Sequence, residues 1–169
     1  MKKVFMFIAI FTIASASFVS AQKTVVDIAV GSKVHTTLVA AVQAADLVST
    51  LQSAGPFTVF APVNTAFDKL PAGTVETLLK PENKAILAKI LTYHVVAGKI
   101  DAAAVIKAIK DGKGKAVLTT VSGGKLTATI VEGKVILTDE NGGTATVVAT
   151  DLKAENGIIH VIDAVVLPK

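Results

Sequence analysis

Apolar residues recur at helical spacing through much of the first half of the chain. Leu38, Val39, Val42 and Ala45 share one helix face, with Thr36 and Thr37 placed to cap it. Asp46 is placed to cap a second short helix carrying Leu47, Val48 and Leu51, which stops at Gly55. Pro56 breaks the chain. FTVFAP follows, rich in β-formers and ended by Pro62, and reads as a short strand. Asn64 is placed as the N-cap of NTAFDKL, whose Phe67 and Leu70 face the core. TVETLL adds another helical turn. Pro81 opens PENKAILAKIL, where a first-turn proline gives up only an N–H that has no helical partner. Ile86, Leu87, Ile90 and Leu91 make the apolar stripe of that helix, and YHVV follows as a strand. Asp101 caps one more helix, with Val105, Ile106 and Ile109 inside and Gly112 past its end.

Beyond that point the period changes from about 3.6 to 2. KAVLTTVSGGKLTATIVEGKVILTDENGGTATVVAT alternates apolar and polar residues, and Glu132-Gly133 and Asn141-Gly142 sit where tight hairpin turns belong. The last run, GIIHVIDAVVLP, is continuously apolar and suits a strand lying between other strands. Helices first and an antiparallel sheet afterwards is the α+β pattern. No internal repeat and no linker interrupts it.

The first residues do not follow this plan. MKK is basic, VFMFIAIFTI is apolar, and Val19-Ser20-Ala21 precedes Gln22, which is the layout of a secretory signal peptide over residues 1–21. The apolar run falls short of the roughly 20 residues that span a bilayer. Residues 22–169 then suit one domain with one core, with no integral membrane segment after cleavage. Loss of Lys2 and Lys3 lowers the formal net charge from +4 to +2. Near-neutral charge and few aromatics (Phe57, Phe60, Phe67 and Tyr93) argue against a nucleic-acid partner. The chain has no cysteine, so an exported fold must be held by packing alone, without disulfides or thiolate metal sites.

Three motifs, PFTVFAPVNTAFDKLP, ILTYHVVAGKI and NGIIHVIDAVVLP, resemble the fasciclin domain family in content and order. VVDIAVGSKVHTTLVAAVQAADLVSTL and LLKPENKAIL resemble it too, so the likeness covers essentially the whole of residues 22–169. It implies a fasciclin-like α+β fold, with helices from the first half packed on an antiparallel β-sandwich or wedge formed largely by the second half. It implies extracellular adhesion or matrix association without enzymatic activity. Thr58 to Phe67 match the family's first motif, and Tyr93 and His94 match the Tyr-His pair of its second. In some animal members the surroundings of that pair are linked to integrin binding. This chain has no arginine and so carries no Arg-Gly-Asp motif.

The chain's only tyrosine stands beside one of its three histidines. In a strand the two side chains point to opposite faces, Tyr93 with Val95 and His94 with Val96, so at least one is buried. A buried hydroxyl or imidazole needs a hydrogen-bond partner, and Asn64, Asp68 or a main-chain carbonyl of the first motif is placed to supply it. The pair is therefore read as an internal anchor between the two motifs in preference to a ligand contact. His160 shares a strand face with Ile158 and Ile162 and reads as a core or sheet-margin histidine. His35 precedes a helix and reads as a surface or capping residue.

No HExxH or short His-x-His spacing asks for a metal. No G-x-S-x-G or phosphate-binding glycine loop is present, and Ser122 in VSGG reads as a turn residue. Most acidic residues stand at helix starts (Asp46, Asp101) or turns (Asp139, Glu140). Lys107, Lys110, Lys113 and Lys115 read as a solvated helix end. The expectation is an extracytoplasmic protein, periplasmic or released, with no cofactor. Its partner is a cell-surface or matrix protein or polysaccharide, with self-association of low affinity. The alternative is a binding module for an apolar small molecule or lipid, held in a cleft between helix and sheet.

Overall fold

The computed structural model describes residues 23–169, and the expected signal peptide lies outside them. The elements run α1 (Val25–Val30), α2 (Thr36–Ala44), α3 (Val48–Gln52), β1 (Phe57–Pro62), α4 (Asn64–Phe67) and α5 (Thr74–Leu78). A 3-10 turn at Pro81–Asn83 leads into α6 (Lys84–Tyr93), followed by β2 (Val95–Ala97) and α7 (Ala102–Asp111). The rest is strand: β3 (Lys115–Thr119), β4 (Lys125–Val131), β5 (Lys134–Thr138), β6 (Thr144–Ala154) and β7 (Gly157–Ile162).

The strands form one sheet in the order β2-β1-β7-β6-β5-β4-β3. Every pairing is antiparallel except β1 with β7, which run parallel from Phe57↔Gly157 to Pro62↔Ile162. The two ends of the sheet approach each other: Val96 bridges Thr120, and the Val121 N–H donates to the Val95 carbonyl at 2.7 Å. The sheet is thus nearly closed into a barrel. The fold is α+β, as the sequence pattern implies, and β7 lies between β1 and β6 with every residue buried.

Alternation along the strands divides the interior in two. Phe60, Val96 and Ile162 face the barrel interior with Leu126, Ala128 and Leu137, and Val105 and Ile109 of α7 pack into it. Their neighbours Ala61, Val95 and Ile159 face the other way, into a layer made with α1, α2, α3 and α6. A strand buried on both faces has no polar face to show, which is why β7 reads as an unbroken apolar run.

Several caps differ from expectation. Asp101 does cap α7, its carboxylate accepting the Ala104 N–H at 2.7 Å. Asn64, by contrast, is the first residue of α4 and does not cap it. Its side-chain oxygen accepts the Thr37 N–H of α2 at 3.1 Å, while its amide donates to the Lys33 carbonyl at 3.1 Å. The carboxamide therefore caps the start of a helix 27 residues away in sequence. Thr36 and Thr37 lie inside α2 and do not cap it. Asp46 takes a positive φ of 61° between helices and pairs with Lys84, leaving α3 without a side-chain cap. In α6, Leu87 and Leu91 are buried but Ile86 is 53% exposed, because the neighbouring helices cover only one side.

The β4–β5 turn has positive φ at both Glu132 (52°) and Gly133 (78°), as expected for a two-residue hairpin. The β5–β6 connection is longer, running from Asp139 to Gly143. Asp139 organises it: one carboxylate oxygen accepts the N–H groups of Asn141 (2.9 Å) and Gly143 (2.7 Å).

Candidate functional site around Tyr93 and His94

Tyr93 is the last residue of α6 and His94 its C-cap, so the pair ends a helix and is not part of the strand. Helical geometry replaces strand alternation here, and both side chains turn inward: Tyr93 is 0% exposed and His94 3%. The strand begins one residue later, at Val95.

The Tyr93 ring lies in the barrel interior. Its hydroxyl donates to the Lys125 carbonyl at 2.6 Å and accepts the Glu140 N–H at 3.3 Å. Gly124 makes room for the ring, since a Cβ at that position would stand 2.5 Å from Tyr93 Cε2. Burial pushes the phenol pKa up; the Glu140 N–H opposes this, and the carboxylates of Glu140 and Asp139 add to it.

The His94 ring bridges its own helix to the C-terminal segment. Nδ1 lies 2.8 Å from the Ile90 carbonyl, and the Val166 N–H donates to Nε2 at 3.3 Å. These contacts assign a neutral ring with its proton on Nδ1. Burial lowers its pKa to about 4, against the Ile90 carbonyl and the Asp139 charge, which favour protonation. The main chain of His94 adds one contact to the first motif, its carbonyl accepting the Phe60 N–H at 2.9 Å. The link between the two motifs therefore runs through the backbone. The side chains reach β4, the β5–β6 loop and Val166, not Asn64 or Asp68.

Asp139 completes the cluster. Its second carboxylate oxygen accepts the Leu167 N–H at 2.9 Å, and the Asn141 amide donates to the carbonyls of Leu167 (3.0 Å) and Pro168 (3.2 Å). The end of the chain is thus strapped across His94 and Asp139. Sequence reasoning missed Asp139, placing it in a solvated turn when it is only 8% exposed. The available signal was its position directly before Glu-Asn-Gly-Gly, where an aspartate can bond the N–H two residues on.

The other histidines lie elsewhere. His160 in β7 is 1% exposed and stacks on Phe60 with centroids 5.6 Å apart. Its Nε2 meets the Ile100 carbonyl at 2.8 Å, and its Nδ1 accepts the Asp151 N–H at 3.4 Å. Asp151 reaches that position through the irregular β6–β7 register, and its carboxylate also accepts the Ala102 N–H at the start of α7. His35 is not a surface residue: it is 4% exposed, with Nδ1 on the Ser32 hydroxyl at 2.8 Å and Nε2 buried without a partner. Burial lowers its pKa, and the Ala61 backbone opposes the shift. Phe67 packs half-buried against the helical layer.

Four ring nitrogens, on His94 and His160, and the Tyr93 hydroxyl are thus committed to main-chain partners. Among the described residues, no group of three or more His, Cys, Asp or Glu side chains is placed to hold a metal ion. No helix there is long and apolar enough to cross a membrane.

A family model, the fasciclin domain, matches residues 33–168. The chain belongs to the fasciclin domain family. It is 50% identical over 156 residues to "Protein sll1483" of Synechocystis sp., covering 92% of this chain and 79% of that protein. It is 38% identical over 123 residues to "Immunogenic protein MPB70" of Mycobacterium bovis, covering 73% of this chain and 55% of that one. Among solved structures it is similar to a FAS1 domain pair from the insect cell adhesion molecule fasciclin I. The TM-score is 0.74 at 20% identity, over 86% of this chain and 51% of that one. At that identity the likeness concerns the fold, and the fasciclin fold is what the strand order and the helical layer display.

Proposed function

We propose that this fasciclin domain is a non-enzymatic adhesion module, acting outside the cytoplasm on a cell-surface or matrix partner, protein or polysaccharide. The observation that carries the reading is the fasciclin match over residues 33–168, on a fold shared with a cell adhesion molecule. The chemistry of the Tyr93–His94 cluster supports it. A general base needs a free lone pair within reach of a substrate proton. His94 and His160 have spent theirs on backbone N–H groups. The cluster pins the end of α6, the β5–β6 loop and the C-terminal segment to one another, an internal anchoring role that supports a contact surface elsewhere on the domain.

The test is binding of the purified protein to envelopes and extracellular matrix of the producing cells, with Tyr93→Phe as control. Saturable binding, unchanged in a folded Tyr93→Phe variant, is the expected result. Loss of binding by a variant whose melting curve matches wild type would place the pair at the contact surface. Absence of saturable binding by the wild-type protein would refute the adhesion reading.

A further inference from the structure

Between the N-terminal helices and the sheet lies a cleft of about 140 Å³. Val25 and Val26 of α1, Leu38 and Val42 of α2 and Leu51 of α3 form its walls, with Val59 of β1 on the sheet side. All are aliphatic. An apolar cavity of similar size, roughly 150 Å³, stays dry and takes up benzene. His94 also borders the cleft, but both its ring nitrogens are occupied, so it offers a guest no hydrogen bond. Polar side chains belong to Asp27, Gln43 and Gln52. Asp27 is the only charged residue among those lining the cleft, and its carboxylate already accepts the Thr24 N–H at 2.9 Å and hydroxyl at 2.6 Å.

We propose that this cleft is a binding site for a small neutral apolar molecule, an aromatic ring or a short alkyl chain with an uncharged end. The space matches about one ring, and a longer guest would extend out of the cleft into solvent. The aliphatic walls select for apolar surface. The negative charge of Asp27 disfavours a carboxylate, so an ionised fatty acid is the wrong ligand and the corresponding alcohol the right one. The site is independent of the adhesion surface and would operate whether or not that surface exists.

The experiment is a titration of the full chain, carrying carbon-13 in its methyl groups, with benzene, 1-hexanol and hexanoate at neutral pH. Saturable shifts confined to the methyls of Val25, Val26, Leu38, Val42, Leu51 and Val59 are expected for benzene and hexanol. Hexanoate should bind about threefold or more weakly, a gap that narrows as salt screens Asp27. Val39→Phe, at a half-buried lining position, and Leu51→Phe, inside the cleft, should each weaken benzene binding by about tenfold. The melting temperature of the wild-type protein should rise with benzene concentration as a second readout. Four results overturn the proposal: no saturation up to the solubility of benzene and hexanol, shifts centred outside the cleft, unchanged affinity in a folded cleft variant, or hexanoate binding as tightly as hexanol.

Discussion

Protonation of His94 should weaken the fold over a defined pH range. The folded ring has a pKa of about 4 because burial disfavours its charged form, while an unfolded histidine titrates near 6.5. Between those values the unfolded chain takes up a proton that the folded chain does not. Stability is therefore constant above about pH 6.5, falls as the pH drops toward 4, and has lost the whole contribution below that. A fall from 6.5 to about 4, at about 1.4 kcal/mol per pH unit, amounts to about 3 kcal/mol. That is a large part of the roughly 5–15 kcal/mol by which a domain is usually stable. His35, also lowered by burial, acts in the same direction, so the wild-type profile alone does not isolate His94. Comparison with His94→Gln does. At pH 7 the variant should be about 1–3 kcal/mol less stable, having lost or distorted the contacts to Ile90 and Val166. Glutamine does not titrate, so the gap should close as the pH falls and vanish or reverse near pH 4. The assay is urea unfolding followed by far-ultraviolet circular dichroism at several pH values from 7.5 to 4, roughly the window set by the two pKa values. The carboxylates of Asp27 and Asp46, whose pKa values are lowered by hydrogen bonds from Thr24 and Lys84, act mainly below that window and cancel in the wild-type-minus-variant difference. A wild-type-minus-variant difference that stays constant from pH 7 to 4 would refute the assignment of a buried neutral His94.

Three further substitutions test the packing. Gly124→Ala places a methyl group 2.5 Å from the Tyr93 ring and should cost about 1–3 kcal/mol, read as a lower melting temperature with near-ultraviolet dichroism of the tyrosine altered. Asn64→Ala removes the cap of α2 and should cost about 1–2 kcal/mol in urea unfolding, whereas Thr36→Val, inside the helix, should cost less. Asp139→Ala leaves the N–H groups of Asn141, Gly143 and Leu167 without their acceptor and should cost about 3 kcal/mol. Amide hydrogen exchange at Leu167 should accelerate along with it as the C-terminal strap loosens.

Much of the fold was legible in the chain because local periodicity encodes it. The alternation from Lys115 onward and the Glu132-Gly133 turn specify the hairpins, and the continuous apolar run from Gly157 to Ile162 marks the strand buried on both faces. Asp101 was readable as a cap because its target, Ala104, is three residues away. The three motifs were enough to place the chain among fasciclin domains.

Sequence alone determined the period of each segment, its turn chemistry and its family. Tertiary structure decided the partners of the polar side chains. Val95 and Val96 favour a strand, and nothing local says whether Tyr93 and His94 belong with them or with the helix before. The main-chain contacts of β2 with β1 settle it by starting the strand at Val95. Asn64 caps a helix 27 residues back, His94 accepts from an N–H 72 residues on, and the Tyr93 hydroxyl reaches a carbonyl 32 residues on. Burial of His35 and Asp139, and the cleft between helices and sheet, likewise arise where segments distant in sequence meet. A residue's conformational preference depends on neighbours within a few positions and can be read along the chain. The satisfaction of a buried donor or acceptor depends on whatever the folded chain brings within about 3 Å, and only the assembled fold supplies that.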